Sequence, residues 1–175
     1  MIVLAITYQL IASNTLTSNA GNVTFSNIPA TYTDLAVRAS VRSVISSPSD
    51  EFRVAFNGNI SGTNYSVTRL IGDGSAATSE RNSNAATTLT GFVNAATSTS
   101  NTFSSVEIYV PSYLATQNKA FSVDLASEQN GTIAYRTAAA GLWRVTDAIT
   151  SVRMSLTGGN LLSGSSFFLY GLKSS

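Results

Sequence analysis

The sequence of 175 residues contains no cysteine and no histidine. Without cysteine there is no disulfide framework, no thiolate zinc site and no cysteine protease chemistry. Without histidine there is no Ser-His-Asp triad, no imidazole metal ligand and no histidine general base. A hydrolase that works with carboxylates alone is still compatible with these absences, and we expect no cofactor and no metal ion.

Charge is also scarce, because only 11% of the residues are charged, against roughly 25% in soluble domains. The net charge is +1 and no basic run occurs, so the sequence lacks the electrostatic footprint of a nucleic-acid-binding protein. Serine and threonine together account for 48 residues and asparagine for 14. We therefore expect a surface made of hydroxyl and amide groups.

Long apolar runs are missing as well, since none approaches the roughly 18 residues of a membrane-spanning helix. The apolar start at residues 1–6 lacks the positive flank of a signal peptide, because the first basic residue is Arg38. We expect a chain with no membrane contact and no export signal. The lack of cysteine is compatible with assembly in a reducing cytoplasm. At roughly 100 to 200 residues per domain, residues 1–175 should form one domain.

Apolar residues alternate with polar ones along much of the chain, which is typical of strands with one buried face. No segment has the spacing of a long amphipathic helix. The pattern predicts about ten strands and an antiparallel sandwich or barrel. Three hydrophilic segments, 13–22, 72–87 and 94–102, are predicted to be exposed loops, and 80–90 is also interpreted as loop. The alternating runs are 35–41, 52–57, 106–110, 121–126 and 152–156, with 166–172 apolar on both faces.

Few residues are candidates for chemistry. Glu107, Asp124 and Glu128 fall on or beside neighbouring strand-like runs, which could bring two carboxylates to a glycosidase spacing. The alternative is that they occupy solvent faces opposite arginine. Asp73 begins an Asp-Gly-Ser loop with a single carboxylate, which is too few for a calcium site. We expect no enzymatic activity.

Two apolar runs, 2–11 and 166–172, are too hydrophobic for a strand with one wet face. We therefore predict that they contact another subunit or a partner protein. Trp143 is interpreted as a core or subunit-seam residue, although a lone tryptophan can also stack on a sugar. The residues predicted at an interface are Ile2, Val3, Leu4, Tyr8, Trp143, Arg144, Phe167, Phe168 and Tyr170.

Four segments occurring in order carry a resemblance to a known group of proteins. They are IPATYTDL at 28–35, FSSVEIYVP at 103–111, GLWR at 141–144 and SGSSFFLYGL at 163–172. With them the sequence resembles small virion structural proteins of tailed phages, particularly those that infect aquatic bacteria.

The resemblance implies a jelly-roll-like β-sandwich displayed on the virion, either as a capsid decoration (cement) protein or as part of a tail fibre or spike. Decoration is the preferred interpretation, because strand-like sequence begins at once and no fibre shaft is expected. The partners would then be the protein itself as a homotrimer and the major capsid protein or another virion protein. A fibre domain would bind a host glycan instead.

The first prediction concerns secondary structure. The period of two predicts under about 10% helix, so the circular dichroism spectrum of the purified protein should show a strand minimum. A spectrum dominated by helix would contradict the fold class.

Overall fold

The computed structural model describes residues 7–131 and 133–173. Within them there is no helix, and twelve strands occur, which confirms the all-β expectation. The strands are β1 (Tyr8–Thr15), β2 (Asn22–Phe25), β3 (Asp34–Val41), β4 (Ser49–Phe56), β5 (Tyr65–Gly72), β6 (Ala77–Ala85), β7 (Gly91–Asn94), β8 (Ser104–Val110), β9 (Lys119–Ser127), β10 (Tyr135–Trp143), β11 (Val152–Leu156) and β12 (Ser166–Leu172).

The strands form two antiparallel sheets of unequal width. The wide sheet has the order β1-β12-β3-β8-β9-β10-β5-β6, and the narrow sheet has the order β2-β11-β4-β7. Because the inward side chains of both sheets belong to one buried apolar cluster, the sheets pack face to face as a sandwich.

The strand pairs are nested along the chain like hairpins within hairpins. β5 pairs with β6, β4 with β7, β3 with β8, β2 with β11 and β1 with β12. A long ribbon of this kind that is rolled into two sheets is a jelly roll. The β9–β10 hairpin is an addition that lies between β8 and β5 in the wide sheet. The prediction of a jelly-roll-like sandwich is thereby confirmed.

Aromatic side chains fill the centre of the sandwich. The Phe56 ring lies 5.2 Å from Phe121, 5.7 Å from Trp143 and 6.5 Å from Tyr65. A side chain at Gly141 would overlap the Phe121 ring, so this strand position requires glycine for space. Trp143 is only 1% exposed. It is therefore a core residue in this chain and leaves no ring surface for a subunit or a sugar.

Buried charged side chains hold the loops at the ends of the strands. The Arg42 guanidinium donates to the carbonyl oxygens of Ser98, Thr99 and Thr102 at 2.7–3.1 Å. Lys119 donates from Nζ to the carbonyl oxygens of Thr146 at 3.0 Å and Asp147 at 2.6 Å. Since backbone carbonyls replace the lost water around these cations, the loops are fixed without disulfides.

Asp50 is the buried carboxylate with the most partners, and it is 6% exposed. Its oxygens accept hydrogen bonds from the Ser43 hydroxyl at 2.7 Å and from the amides of Glu51, Gly158 and Gly159 at 2.8–3.0 Å. Four donors from three chain segments therefore converge on one side chain.

Several local predictions are wrong. Most of 72–87, predicted as loop, is the β5–β6 hairpin, and 80–90 contains six of the nine residues of β6. β6 was missed because an edge strand exposed on both faces shows no alternation. Segment 13–22 starts inside β1, and Ser98 in the third loop is buried by Arg42.

The sequences Asn57-Gly58 and Gly158-Gly159 are typical of hairpin turns with positive φ, and the structure bears out the positive φ for the first pair only. Asn57 and Gly58 have positive φ values of 51° and 67°, as expected, but they connect β4 to the other sheet instead of closing a hairpin. Gly158 and Gly159 do not have positive φ. A side chain at either position would press on Ile45 or Ser43, so these glycines are needed for space.

We predict that Asp50→Ala lowers the free energy of unfolding by about 3 kcal/mol, because the buried Ser43 hydroxyl and three partly buried amides lose a charged acceptor. Urea unfolding measures the effect. Asp73→Ala is the matched control, since Asp73 also accepts two backbone N–H bonds but is exposed. Equal losses in the two variants would contradict this role of Asp50.

Candidate binding face

The outward surface of the wide sheet, here called the outer face, is covered by no other element among the described residues. Its strands β9 and β10 carry the small side chains Ser122, Ala138 and Ala140, and Ser122 lies opposite Ala140 in the register. Larger side chains rise on both sides of them. The larger ones are Tyr8, Leu10, Phe168, Tyr170 and Tyr109 on one side and Leu70 on the other.

This relief creates three adjoining hollows, here called the transverse groove. The first, of about 230 Å³, is lined by Tyr8, Arg38 and Tyr170. The second, of about 170 Å³, shares Tyr8 and Arg38 with it and adds Glu107, Tyr109, Ser122 and Asp124. The third, of about 400 Å³, shares Ser122 and Asp124 with the second and continues over Ala138, Ala140, Thr68 and Leu70. The shared residues make the groove continuous.

A row of four charges runs along the groove, from β3 to β10. Arg38 lies opposite Glu107 in the β3–β8 ladder, and Glu107 lies opposite Asp124 in the β8–β9 ladder. Arg38 Nε is 3.4 Å from Glu107 Oε1, and both Arg136 nitrogens reach the Asp124 carboxylate at 2.5–2.6 Å. The hydrogen bond between Arg136 and Asp124 raises the pKa of Arg136. The row has no net charge, and its side chains are more than half exposed.

The carboxylates lie as the second sequence interpretation predicted, on a solvent face and beside arginines. Glu128 does not join them, because its carboxylate accepts from the amides of Gln129 and Asn130 in the next turn. Asp73 is likewise occupied in its own turn by Ser75 and Ala76, and these bonds lower its pKa. Among the described residues no cluster of three or more acidic side chains is placed to hold a metal ion.

The exposed tyrosines are held in defined positions. Tyr8 and Tyr170 pack edge to face with their ring centroids 6.2 Å apart. Tyr109, which is 39% exposed, donates from its hydroxyl to Asp34 Oδ2 at 2.7 Å. Asp34 in turn accepts from the Ser112 amide at 2.8 Å. The bond to Asp34, with a smaller contribution from burial, raises the pKa of Tyr109.

The predicted interface residues separate into three groups. Tyr8, Phe168 and Tyr170 all lie on the outer face, on the neighbouring strands β1 and β12, and the rings of Tyr8 and Tyr170 are in contact. Trp143 and Phe167 point into the core and are at most 1% exposed, so assigning them to an interface was wrong. β12 is apolar on both faces, as are residues 138–143 of β10, and this composition does not tell which residue faces inward. Arg144 directly follows β10, and its guanidinium donates to the Thr63 carbonyl oxygen and to Asn84 Oδ1. Ile2, Val3 and Leu4 lie outside the described residues.

A smaller cavity of about 160 Å³ lies between β5 and β6, next to Arg69. Arg69 donates to Glu80 Oε2 from two nitrogens at 2.6–2.9 Å and contacts Glu51 Oε1 at 2.8 Å. Its guanidinium also lies 5.2 Å from the centre of the Phe92 ring. Arg69 of β5 therefore links the wide sheet to the narrow sheet and to the edge strand β6. Because its guanidinium is engaged in these contacts, we assign the residues around this cavity a role in stabilising the fold.

Comparison of the chain with family models, with curated proteins and with solved structures finds no match. In the described part of the chain, no helix has the length and apolar character needed to cross a membrane. A fold shared by many proteins does not specify an activity. The features of this chain that bear on function are therefore its outer face and its sheet edges.

We predict that Asp34→Ala lowers the pKa of Tyr109 toward its ordinary value, because the protonated phenol loses its charged acceptor. The NMR shift of the Tyr109 Cζ carbon as a function of pH measures the change. Asp124→Ala is the matched control, a carboxylate on the same face without a bond to Tyr109. A Tyr109 pKa that is unchanged in Asp34→Ala would contradict the geometry.

Proposed function

We propose that the protein is a phage structural protein, a capsid decoration protein that binds the outer coat surface and stabilises the head without chemistry of its own. It would be assembled in the host cytoplasm and reside in the virion. The resemblance of four sequence segments to virion proteins supports the proposal, and so does the jelly-roll fold. The observation that carries it is the contrast between the two edges of the wide sheet.

Edge strands present unpaired backbone groups, and proteins protect them with charge, proline or bulges. β6, at one edge, carries Glu80 and Arg81 in its middle. β1, at the other edge, has eight residues and no charge. Its side chains Tyr8 and Leu10 are 49% and 51% exposed, although a shift in register between Leu10 and Ala12 interrupts the strand. Such an edge is suited to pairing with a partner strand.

The partner would add to β1 through backbone hydrogen bonds and would extend the wide sheet beyond Tyr8 and Leu10 in its own plane. A homotrimer would present three such edges to the coat, and repetition over the lattice would make weak individual contacts sufficient. Because β1 and its neighbour β12 carry no charged side chain, attachment should change little between about 0.05 and 0.5 M salt, where exposed ion pairs are screened.

The test mixes purified protein with particles that lack it and measures the bound copies and the temperature at which the capsid releases its contents. The wild-type protein should bind in a copy number that matches the repeating sites of the coat, and it should raise the temperature at which the capsid releases its contents. Leu10→Lys should reduce the apparent affinity at least tenfold, because a charged side chain blocks strand addition. Ser79→Lys, on the opposite edge strand, is the matched control and should bind like wild type.

Sedimentation of the same samples tests the oligomer, with a trimer expected at micromolar concentration. A monomer would contradict the trimer. Failure to bind coats, combined with binding to host cells, would overturn the decoration proposal and favour the tail-fibre alternative. Equal loss in Leu10→Lys and Ser79→Lys would show that β1 is not the attachment edge.

A further inference from the structure

We propose that the transverse groove binds an uncharged oligosaccharide. Most of the groove lies away from the attachment edge, because its floor residue Ala138 lies on β10, the sixth strand of the wide sheet counted from β1, and the groove reaches β1 only at Tyr8. The proposal therefore stands whether or not the protein decorates a capsid.

The shape of the groove selects an extended ligand. It is open to solvent along its length and passes from β12 to β5, across five strand intervals. At about 4.8 Å per interval this is about 24 Å, which is longer than a single sugar ring. The floor of Ser122, Ala138 and Ala140 has no side chain that would hold the ligand away from the sheet.

The charges of the groove select an uncharged ligand. Two arginines and two carboxylates are paired with one another, so the row offers no unbalanced charge to a phosphate, a nucleic acid or a polycation. Each carboxylate oxygen nevertheless has free acceptor capacity, and each guanidinium has five N–H donors of which only some are used. Sugar hydroxyls both donate and accept, so they can bind to both kinds of group without breaking the ion pairs.

The aromatic side chains supply the apolar part of the site. Tyr8 and Tyr170 border the first hollow, and Tyr109 borders the second. Each tyrosine presents a ring with an apolar body and a polar tip, a combination that suits a ligand with apolar C–H and polar O–H surfaces. The Tyr8–Tyr170 contact and the Tyr109–Asp34 bond hold the rings in place before a ligand arrives, which lowers the entropic cost of binding.

Titration calorimetry and NMR with a panel of hexasaccharides test the proposal. The uncharged probes are the hexamers of cellulose, amylose, laminarin, xylan and mannan, and the charged probes are hexagalacturonate and a heparin hexasaccharide. We expect binding to at least one uncharged hexamer and weaker binding to its disaccharide. Ala138→Trp should weaken binding at least tenfold by filling the floor, and Tyr8→Ala should weaken it severalfold.

Ala77→Trp is the matched control, because Ala77 is exposed on the same sheet but outside the groove, and it should bind like wild type. Thermal unfolding of all variants separates loss of the site from loss of the fold. The proposal is overturned if no uncharged hexamer binds, if only charged probes bind, or if binding survives in Ala138→Trp. It is also overturned if Ala138→Trp abolishes self-association, since the face would then be an interface between copies of the chain.

Discussion

The constraint that shapes this molecule is the unequal width of its two sheets, eight strands against four. The narrow sheet is too small to cover the inner face of the wide one, and the remainder must be buried by loops and long side chains. Tyr32 packs over Gly171 of β12, and Arg69 bridges from β5 to the narrow sheet. At the start of β9, the Lys119 ammonium donates hydrogen bonds to loop carbonyl oxygens, and burial lowers the pKa of Lys119. Buried cations with many acceptors are thus a consequence of the architecture.

The same mismatch explains why the opposite surface is available for binding. Side chains that bridge the overhang all point inward, and among the described residues none remains to cover the outer face. The outer face is solvated through serine, small alanine side chains and charges that are paired with one another. A surface of this kind offers no unbalanced charge to a charged polymer, so the ligand that we propose would be recognised through hydroxyl groups, ring faces and shape.

Much of the fold could be predicted from the sequence because side chains alternate where one face is buried. Asp124 and Tyr109 were placed outward by this rule alone. The rule fails for β6, where both faces are wet, and for β12, where both are apolar, so the orientation of Phe167 was not predicted. The row of charges from Arg38 to Arg136 could not be predicted from the sequence either. It depends on the registers between β3, β8, β9 and β10, which are set by the order in which the strands pair.

The two proposed surfaces can be used at the same time for a geometric reason. A partner strand that pairs with β1 extends the wide sheet in its own plane, because hydrogen bonds between strands lie within that plane. The transverse groove opens perpendicular to the plane, on side chains and not on backbone groups. Attachment through the edge therefore leaves Ala138 and its neighbours uncovered, and a protein fixed by β1 would hold the groove accessible to ligands in the surrounding solvent.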